Sequence, residues 1–243
     1  MSAALPRRAL AEFLGTLLLV TVVVGSGIMA QELSPNDVGL QLLENSTATV
    51  FGLGVLIVML GPISGAHFNP VVTLADWFLH RKLTGSDVGI YLVSQIAGAI
   101  AGAILANAMF DKPAVGWSTH DRSAGHLLLG EVVATAGLAL VIFLLTRAGN
   151  ARVAPVAVAS YIGAAYWFTS STSFANPAVT IGRAFSDTFA GIAPSSVPGF
   201  VVAQLVGGAI GLALVAGLYG GPLRHEAADR ADAEPRLVDR TLT

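Results

Sequence analysis

Two copies of an asparagine–proline motif are the residues of this sequence best placed to do chemistry. Asn69-Pro70-Val71 and Asn176-Pro177-Ala178 share the frame Asn-Pro-x-Val-Thr. Asparagine is a good helix N-cap and proline is favoured at the first helical position, so each copy predicts a helix that begins at the asparagine. About ten apolar residues follow each motif, which is half of a membrane span. Two such half-helices would present amide donors and positive helix ends to a neutral oxygen while opposing cations.

Two carboxylates and two glutamines repeat with the motifs. Glu12 and Glu131 each stand early in an apolar helix, and Gln95 and Gln204 lie 26 and 28 residues after the two motif asparagines. Each half therefore contains a helix with Glu, a second helix, an Asn-Pro segment and a helix with Gln. Because three spans per half is an odd number, the second half must be inverted relative to the first. Inverted repeats place a solute path near the middle of the membrane.

The composition requires a membrane environment for these elements. Of 243 residues, 54% are hydrophobic and only 12% are charged, whereas about a quarter are charged in soluble domains. We therefore expect an all-α membrane protein with six transmembrane helices and two re-entrant half-helices. The six spans are predicted at Ala9–Met29, Leu42–Leu60, Val88–Phe110, Gly125–Leu145, Val153–Phe168 and Val197–Tyr219. A cleaved signal peptide is the alternative for the first span, which Glu12 and its length disfavour.

Charge and composition also predict the domain limits and the partners. We expect a cytoplasmic segment at 1–8, a channel domain at 9–222 with repeats at about 9–110 and 125–220, and a charged, disordered tail at 223–243. An even number of spans puts ten Lys and Arg residues on one side and two on the other, so both termini should be cytoplasmic in the cell membrane. The net charge of −2 argues against nucleic acid. Without cysteine, and without ligand spacing among the histidines, no metal or cofactor is expected.

At these motifs the sequence resembles the aquaporin and glycerol-facilitator family, the major intrinsic proteins, and in particular its bacterial members. Ser64-Gly65-Ala66-His67-Phe68-Asn69-Pro70 is similar to the family's first signature loop, with Val71 in place of the usual alanine, and Asn176-Pro177-Ala178 is the intact second signature. The resemblance covers about residues 8–220. It implies six tilted helices, two half-helices and a homotetramer with one pore per subunit in the lipid bilayer.

The resemblance also implies roles for individual residues. Glu12 and Glu131 would accept backbone N–H bonds from the signature loops, with Gln95 and Gln204 bracing the same loops. Backbone carbonyls would line the pore, and the residues that provide them are expected to be Gly65, Ala66, His67, Ser171 and Thr172.

The main departure from the family lies at the selectivity filter. In the family's water and glycerol pores an arginine directly follows the second motif, but here Val179 stands there. Counting without gaps gives the other three filter positions as Thr49, Ala164 and Ser173, with Phe51 as the alternative to Thr49. These residues predict a wide, uncharged filter. Arg183, seven residues after Asn176, either reaches back to the mouth of the pore, serves the C-terminal dipole of its half-helix or pairs with Asp187.

These observations predict a passive channel for water and small neutral solutes and not an enzyme. Polyols, urea and metalloid acids fit the predicted filter. The resemblance also suggests arsenous acid as a solute. The segment Gly61-Pro62-Ile63-Ser64 and the absence of the filter arginine are similar to features of bacterial channels linked to arsenic handling. The alternative is a secondary transporter built on an inverted repeat, which would need an ionisable residue at the midplane beyond the two bracing carboxylates. An intramembrane enzyme would need a nucleophile beside a base, and no Ser/His spacing supports one.

Overall fold

Residues 3–80 and 83–219 are described in a computed structural model, and they form helices without strands. The predicted tail at 223–243 lies outside the described residues, as do Arg81, Lys82 and the four arginines after residue 219. The helices are α1 (Leu5–Leu33), α2 (Val38–Ser64), α3 (Pro70–His80), α4 (Gly85–Met109), α5 (Gly125–Arg147), α6 (Ala154–Phe168), α7 (Pro177–Arg183) and α8 (Val197–Tyr219).

The six predicted spans correspond to six of these helices. Five of them are long and apolar enough to cross a membrane within the described ranges, namely α1, α2, α4, α5 and the helix that ends at Tyr219. The sixth, α6, has 15 residues and follows a short 3₁₀ turn at Ala151–Val153. Helix α1 begins at Leu5, so it extends into the predicted N-terminal segment 1–8. Helix α4 begins at a capping box formed by Thr84 and Asp87.

The two half-helices enter from opposite faces of the bundle. Arg8 pairs with Asp87 at 3.3 Å, which joins the beginnings of α1 and α4 at one face, called here the N-terminal face. Helix α3 ends close in sequence to the start of α4, at that same face. Helix α7 ends at the opposite face, where the backbone N–H of Gly116 donates to the carbonyl of Phe185 at 3.1 Å in the loops between helices. The inner ends of α3 and α7 therefore meet inside the bundle.

Close helix packing is repeated in the two halves. A Cβ added at Gly98 of α4 would lie 2.3 Å from the carbonyl oxygen of Phe13 in α1. The same addition at Gly207 of α8 would lie 2.5 Å from the carbonyl oxygen of Val132 in α5. Only glycine allows such contact between helix backbones, which is how membrane helices associate tightly. Phe13 and Val132 directly follow the two repeated glutamates, so the packing preserves the repeat.

Candidate functional site

The two motif asparagines meet in the middle of the bundle and hold the opposing loops together. The Asn69 side-chain Nδ2 donates to the carbonyl of Ala175 at 2.8 Å, and the Asn176 Nδ2 donates to the carbonyl of Phe68 at 2.7 Å. Each asparagine also caps its own half-helix through Oδ1, which accepts from the backbone N–H two residues further along the chain. Each NH₂ group has two N–H bonds, so one of them remains beyond this reciprocal pair. Both asparagines line the main cavity of the protein.

The loops that precede the asparagines share an unusual backbone conformation. In both loops the residues four, three and one before the asparagine have φ between 48° and 92°. Five of these six residues are not glycine, and the left-handed region costs a non-glycine residue about 1–3 kcal/mol when it is held there. These residues are Gly65, Ala66, Phe68, Thr172, Ser173 and Ala175. The surrounding side chains must therefore hold both loops in place.

Glu12 is the acceptor that holds the first loop. Its carboxylate is fully buried and accepts from the backbone N–H of His67 at 3.0 Å and of Phe68 at 2.7 Å. The hydroxyl of Ser64 and the Nε2 of Gln95 also donate to it, at 2.6 and 2.8 Å. A buried carboxylate that receives four hydrogen bonds is compensated for the loss of water.

Glu131 occupies the matching place beside the second loop. It is fully buried and accepts from the backbone N–H of Phe174 and of Ala175, both at 2.8 Å. Gln204 donates to the same carboxylate at 2.6 Å and to the hydroxyl of Thr180 at 2.8 Å. The geometry places both repeated carboxylates and both repeated glutamines around the loops.

The threonines of the Asn-Pro-x-Val-Thr frame belong to this network. The Nε2 of Gln95 donates to Thr73 Oγ1 at 2.8 Å, as Gln204 does to Thr180. The Nδ1 of His67 lies 3.1 Å from Thr73 Oγ1, so this imidazole bonds locally. No cluster of three or more His, Asp or Glu side chains able to hold a metal occurs in residues 3–80 and 83–219. Sequence reasoning assigned no role to the threonines, although their duplication in the shared frame was the available signal.

A cavity of about 620 Å³ passes the asparagine pair. At the N-terminal face it is lined by residues such as Thr146 and Arg152, and towards the opposite face by Thr49 and Val179. A smaller cavity of about 130 Å³ lies beyond it on the opposite face and is lined by Asn45, among others. The linings of the two cavities have one residue in common, Arg183.

Three of the four predicted filter residues line the main cavity, namely Thr49, Ser173 and Val179. Thr49 is 2% exposed, whereas its alternative Phe51 is 70% exposed on the outer surface. The predicted fourth residue, Ala164, was wrong, because it is exposed and lines neither cavity.

Helix α6 contributes Tyr166 to the cavity instead. Two residues along a helix is a rotation of about 200°, which turns Ala164 away when Tyr166 faces inward. The Tyr166 hydroxyl lies 3.2 Å from Thr49 Oγ1. Val158, Ile162 and Tyr166, at four-residue spacing, form the face of α6 that lines the cavity.

Of the five residues predicted to offer loop carbonyls, four line a cavity and one does not. Gly65, Ala66 and His67 line the main cavity. Ser171 is fully buried and lines neither cavity, because its hydroxyl accepts from the backbone N–H of Ser173 at 3.2 Å within the turn. Thr172 lines the smaller cavity. Ser171 thus corresponds to Ser64, whose hydroxyl makes the same bond in the first loop.

Arg183 lies at the boundary of the two cavities. It is 2% exposed and lines both of them. Its Nε donates to the carbonyl of Ala190, and its guanidinium carbon lies 3.4 Å from the centre of the Phe174 ring. Pairing with Asp187 is not observed, because that carboxylate accepts from the backbone N–H and hydroxyl of Thr119 at 2.8 and 3.1 Å.

Comparison with known proteins identifies the family that this geometry belongs to. Residues 1–174 match the family described as Major intrinsic protein. The chain belongs to the major intrinsic protein family. It is 50% identical over 211 residues to the aquaglyceroporin AqpS of Rhizobium meliloti (strain 1021), covering 87% of this chain and 89% of that protein. It is also 32% identical to the glycerol uptake facilitator protein of Pseudomonas aeruginosa, covering 95% of both chains.

The fold agrees with a solved structure of the same family. The aquaglyceroporin from Plasmodium falciparum superimposes with a TM-score of 0.61 and 20% sequence identity, covering 89% of this chain and 96% of that one. This major intrinsic protein is therefore a membrane channel for water and small solutes, and it is not an enzyme. The predictions of the family, of the fold class and of channel function are confirmed.

Proposed function

We propose that the solutes of this major intrinsic protein are small, neutral and rich in oxygen or nitrogen: polyols, urea and undissociated metalloid acids such as arsenous acid, besides water. The observation that carries the proposal is the cavity of about 620 Å³ that leads past Asn69 and Asn176 to a ring where Val179 replaces the filter arginine. The names of the two bacterial relatives, an aquaglyceroporin and a glycerol facilitator, support solutes larger than water.

The motif residues orient the solute at the midplane. Pro70, Val71, Pro177 and Ala178 form the first turns of the half-helices, so the positive ends of α3 and α7 point at each other. The free N–H bonds of Asn69 and Asn176 donate to a solute oxygen, because each amide uses its other N–H on the opposing loop. A cation at this place meets two positive helix ends and no acceptor side chain of the motif, so it is repelled.

The filter selects by size and by hydrogen bonding. Thr49, Ser173 and Val179, together with Tyr166, line the cavity between the asparagines and the opposite face. Hydroxyl groups on three of the four positions supply donors and acceptors for an oxygen-rich solute. The carbonyls of Gly65, Ala66 and His67 supply acceptors on the other side of the asparagines.

The bracing network keeps this path rigid and occupies the two buried carboxylates, Glu12 and Glu131, that the repeat places beside it. Glu12 and Glu131, held by Gln95 and Gln204, each receive at least three hydrogen bonds. Coupled transport would need an ionisable group that changes protonation or binds an ion during the cycle. Carboxylates whose bonds stabilise strained loops are poorly suited to that task, so the passive channel is the better proposal.

The chain spans the inner membrane as a homotetramer with both termini in the cytoplasm. Among the described cations, Arg7, Arg8, Arg147 and Arg152 lie at the N-terminal face, which the positive-inside rule assigns to the cytoplasm. Large apolar side chains on the outer surface of the helices, such as Phe51 at 70% exposure, are available to lipid and to neighbouring subunits.

Stopped-flow light scattering on proteoliposomes tests the solute class. Osmotic water flow is compared with the entry of glycerol, urea and arsenous acid, against protein-free vesicles of the same lipid. We expect water flow and solute entry both to exceed the background. Water flow with every solute excluded would overturn the proposed solute class, and accumulation of a solute against its gradient would overturn passive conduction.

A pair of tryptophan variants tests whether the main cavity is the path of water and solutes. Val72 lines the main cavity next to the asparagine pair, whereas Val93 of α4 is exposed on the outer surface. We expect Val72→Trp to abolish flow of water and solutes, because an indole fills the path, and Val93→Trp to leave both unchanged. Equal flow in the two variants would place the path elsewhere.

A further inference from the structure

A guanidinium lies near the filter although no arginine directly follows the second motif. Arg183 is at the last position of α7, seven residues after Asn176, and its side chain lines both the main cavity and the smaller one. A side chain that borders both cavities lies between them. A solute that moves from one cavity to the other therefore passes Arg183, as it also passes Val179 at the end of the main cavity.

The guanidinium is held in one orientation by its surroundings. The Nε donates to the carbonyl of Ala190, and the planar group lies over the ring of Phe174 with its central carbon 3.4 Å from the ring centre. In the described part of the chain this is the guanidinium's one hydrogen bond. The four N–H bonds on the two terminal nitrogens are therefore available to whatever occupies the cavities.

A second arginine adds positive charge at the same place. Arg122, in the loop before α5, lines the smaller cavity and lies 5.1 Å from the centre of the same Phe174 ring. Its Nε donates to the carbonyl of Gly191 at 2.9 Å. Neither guanidinium forms a salt bridge within residues 3–80 and 83–219, where the nearby Asp121 accepts from Ser196 and Ser123 instead. No ion pair in the described residues neutralises this positive charge, and the one carboxylate that acts on both guanidinium groups from a distance is the buried Glu131.

Unused acceptors stand on either side of Arg183. Ser173 lines the main cavity and Asn45 lines the smaller one, and the Oγ of Ser173 and the Oδ1 of Asn45 have almost no accessible surface and no hydrogen-bond partner in the described structure. A buried polar atom without a partner costs free energy, so these atoms gain from meeting a water or a ligand. A rotation of either side chain toward its cavity would place an acceptor beside the donors of Arg183, which matches a molecule whose hydroxyl groups both accept and donate.

We propose that Arg183 supplies the guanidinium of the selectivity filter from a different position in the chain and so takes the role of the arginine that Val179 replaces. With Ser173 and Asn45 it forms a binding subsite for neutral solutes that carry at least two hydroxyl groups, and with Arg122 it forms the barrier to cations. This inference rests on the proposed function and deepens it. The filter is accordingly positively charged, and not the uncharged ring that the four predicted positions imply.

Substitution of Arg183 separates these two roles. Arg183→Met keeps an unbranched side chain over Phe174 and removes the charge and the donors, whereas Arg183→Lys keeps the charge without the planar fork. Arg147→Met is the matched control, because the Arg147 guanidinium also lies over an aromatic ring, that of Tyr219 at 4.7 Å, but lines neither cavity. Purified variants are reconstituted at equal protein content. Water flow, glycerol entry, urea entry and the leak of protons and K⁺ are measured on the same vesicles.

We expect Arg183→Met to raise the cation leak about tenfold relative to water flow and to lower glycerol entry relative to urea entry, since urea lacks hydroxyl groups. Arg183→Lys should restore cation exclusion but not the glycerol preference. Arg147→Met should behave as the unmodified protein. A leak and a glycerol-to-urea ratio that are the same in Arg183→Met and Arg147→Met would overturn the inference.

A double variant covers the case in which Arg183→Met conducts nothing. Arg183→Met combined with Val179→Arg moves the guanidinium to the other position at this end of the path. Recovery of water flow with cation exclusion supports the inference, and failure of the double variant to exclude cations when it conducts water opposes it. If the unmodified protein excludes glycerol and urea altogether, the proposed solute class fails, whereas the cation leak of Arg183→Met still decides the role of Arg183 as the barrier.

Discussion

At the scale of single residues, buried polar groups decide the shape of the path. Glu12 and Glu131 receive backbone N–H bonds from loops whose left-handed residues would otherwise be strained. The asparagines then bridge the two loops, so that side chains and backbone define the midplane together. Tyr166 and Thr49 add a contact between α6 and α2 at the ring. These groups are interdependent, and the loss of one changes the path locally.

Tyr166 should set the width of the ring. We expect Tyr166→Ala to raise the entry of polyols larger than glycerol by about tenfold while water flow stays within about twofold, because the aromatic ring no longer occupies the cavity. Stopped-flow scattering with a series of linear polyols measures this. Ala164→Leu, on the opposite side of α6, is the control and should change nothing. Widening by the control and not by Tyr166→Ala would reverse our assignment of the helix face.

Glu131 should matter for stability more than any single filter residue. Glu131→Gln replaces one acceptor oxygen by an NH₂ group that faces the N–H donors of Phe174 or Ala175. We expect a loss of about 2–4 kcal/mol in the free energy of unfolding, with lower water flow. Thermal unfolding of the detergent-solubilised protein measures the change. Glu44→Gln is the control, since Glu44 accepts one hydrogen bond within residues 3–80 and 83–219, from the hydroxyl of Ser34. An unchanged melting temperature in Glu131→Gln would contradict the bracing role.

At the scale of elements, helix contacts position the loops that carry the site. Helices α1 and α4 pack closely at Gly98, and α5 and α8 pack closely at Gly207. The first pair presents Glu12 and Gln95 to the first loop, and the second pair presents Glu131 and Gln204 to the second. Each loop is thus held by the two long helices of its own repeat. Helix α7 packs against α4 of the other repeat, where a Cβ added at Gly182 would lie 2.6 Å from the carbonyl oxygen of Ala99, and the reciprocal asparagine bonds join the two loops.

Glycine substitutions along α8 test this packing. Gly207→Ala places a Cβ 2.5 Å from a carbonyl oxygen of α5, so the helices must separate. We expect a loss of about 1–3 kcal/mol in the free energy of unfolding and a lower melting temperature. Gly217→Ala in the same helix has nothing within 4 Å of the added Cβ and should be neutral or stabilising by up to about 1 kcal/mol. Equal melting temperatures for the two variants would argue against close packing at Gly207.

At the scale of the whole molecule, an inverted repeat encloses one path in one chain. Large apolar side chains cover the outer helix surfaces, whereas the polar residues of the site point inward. The described cations at the helix ends lie mostly at the N-terminal face. A single chain therefore contains the residues that line the cavities.

The proposed tetramer is a prediction for the molecule as a whole. Native mass spectrometry of the detergent-solubilised protein should give a particle with four times the 24.9 kDa mass of one chain. In tetramers that mix Val72→Trp subunits with unmodified ones, water flow should fall in proportion to the share of blocked subunits. A particle with the mass of one chain would contradict the assembly, and a loss of flow out of proportion to the blocked subunits would contradict one path per chain.

The sequence alone determines the membrane spans and most of the site residues, because the length of an apolar segment and the duplication of polar residues can be recognised within short stretches of the chain. The spans, the two asparagine motifs, the paired glutamates and glutamines and the family resemblance were all readable in the chain. Only the tertiary structure decided which face of α6 turns inward, that Ser171 belongs to the turn and that Arg183 lies between the cavities. Those outcomes depend on helix rotation and on loop paths set by contacts between distant residues. Residue counting along the chain does not contain them.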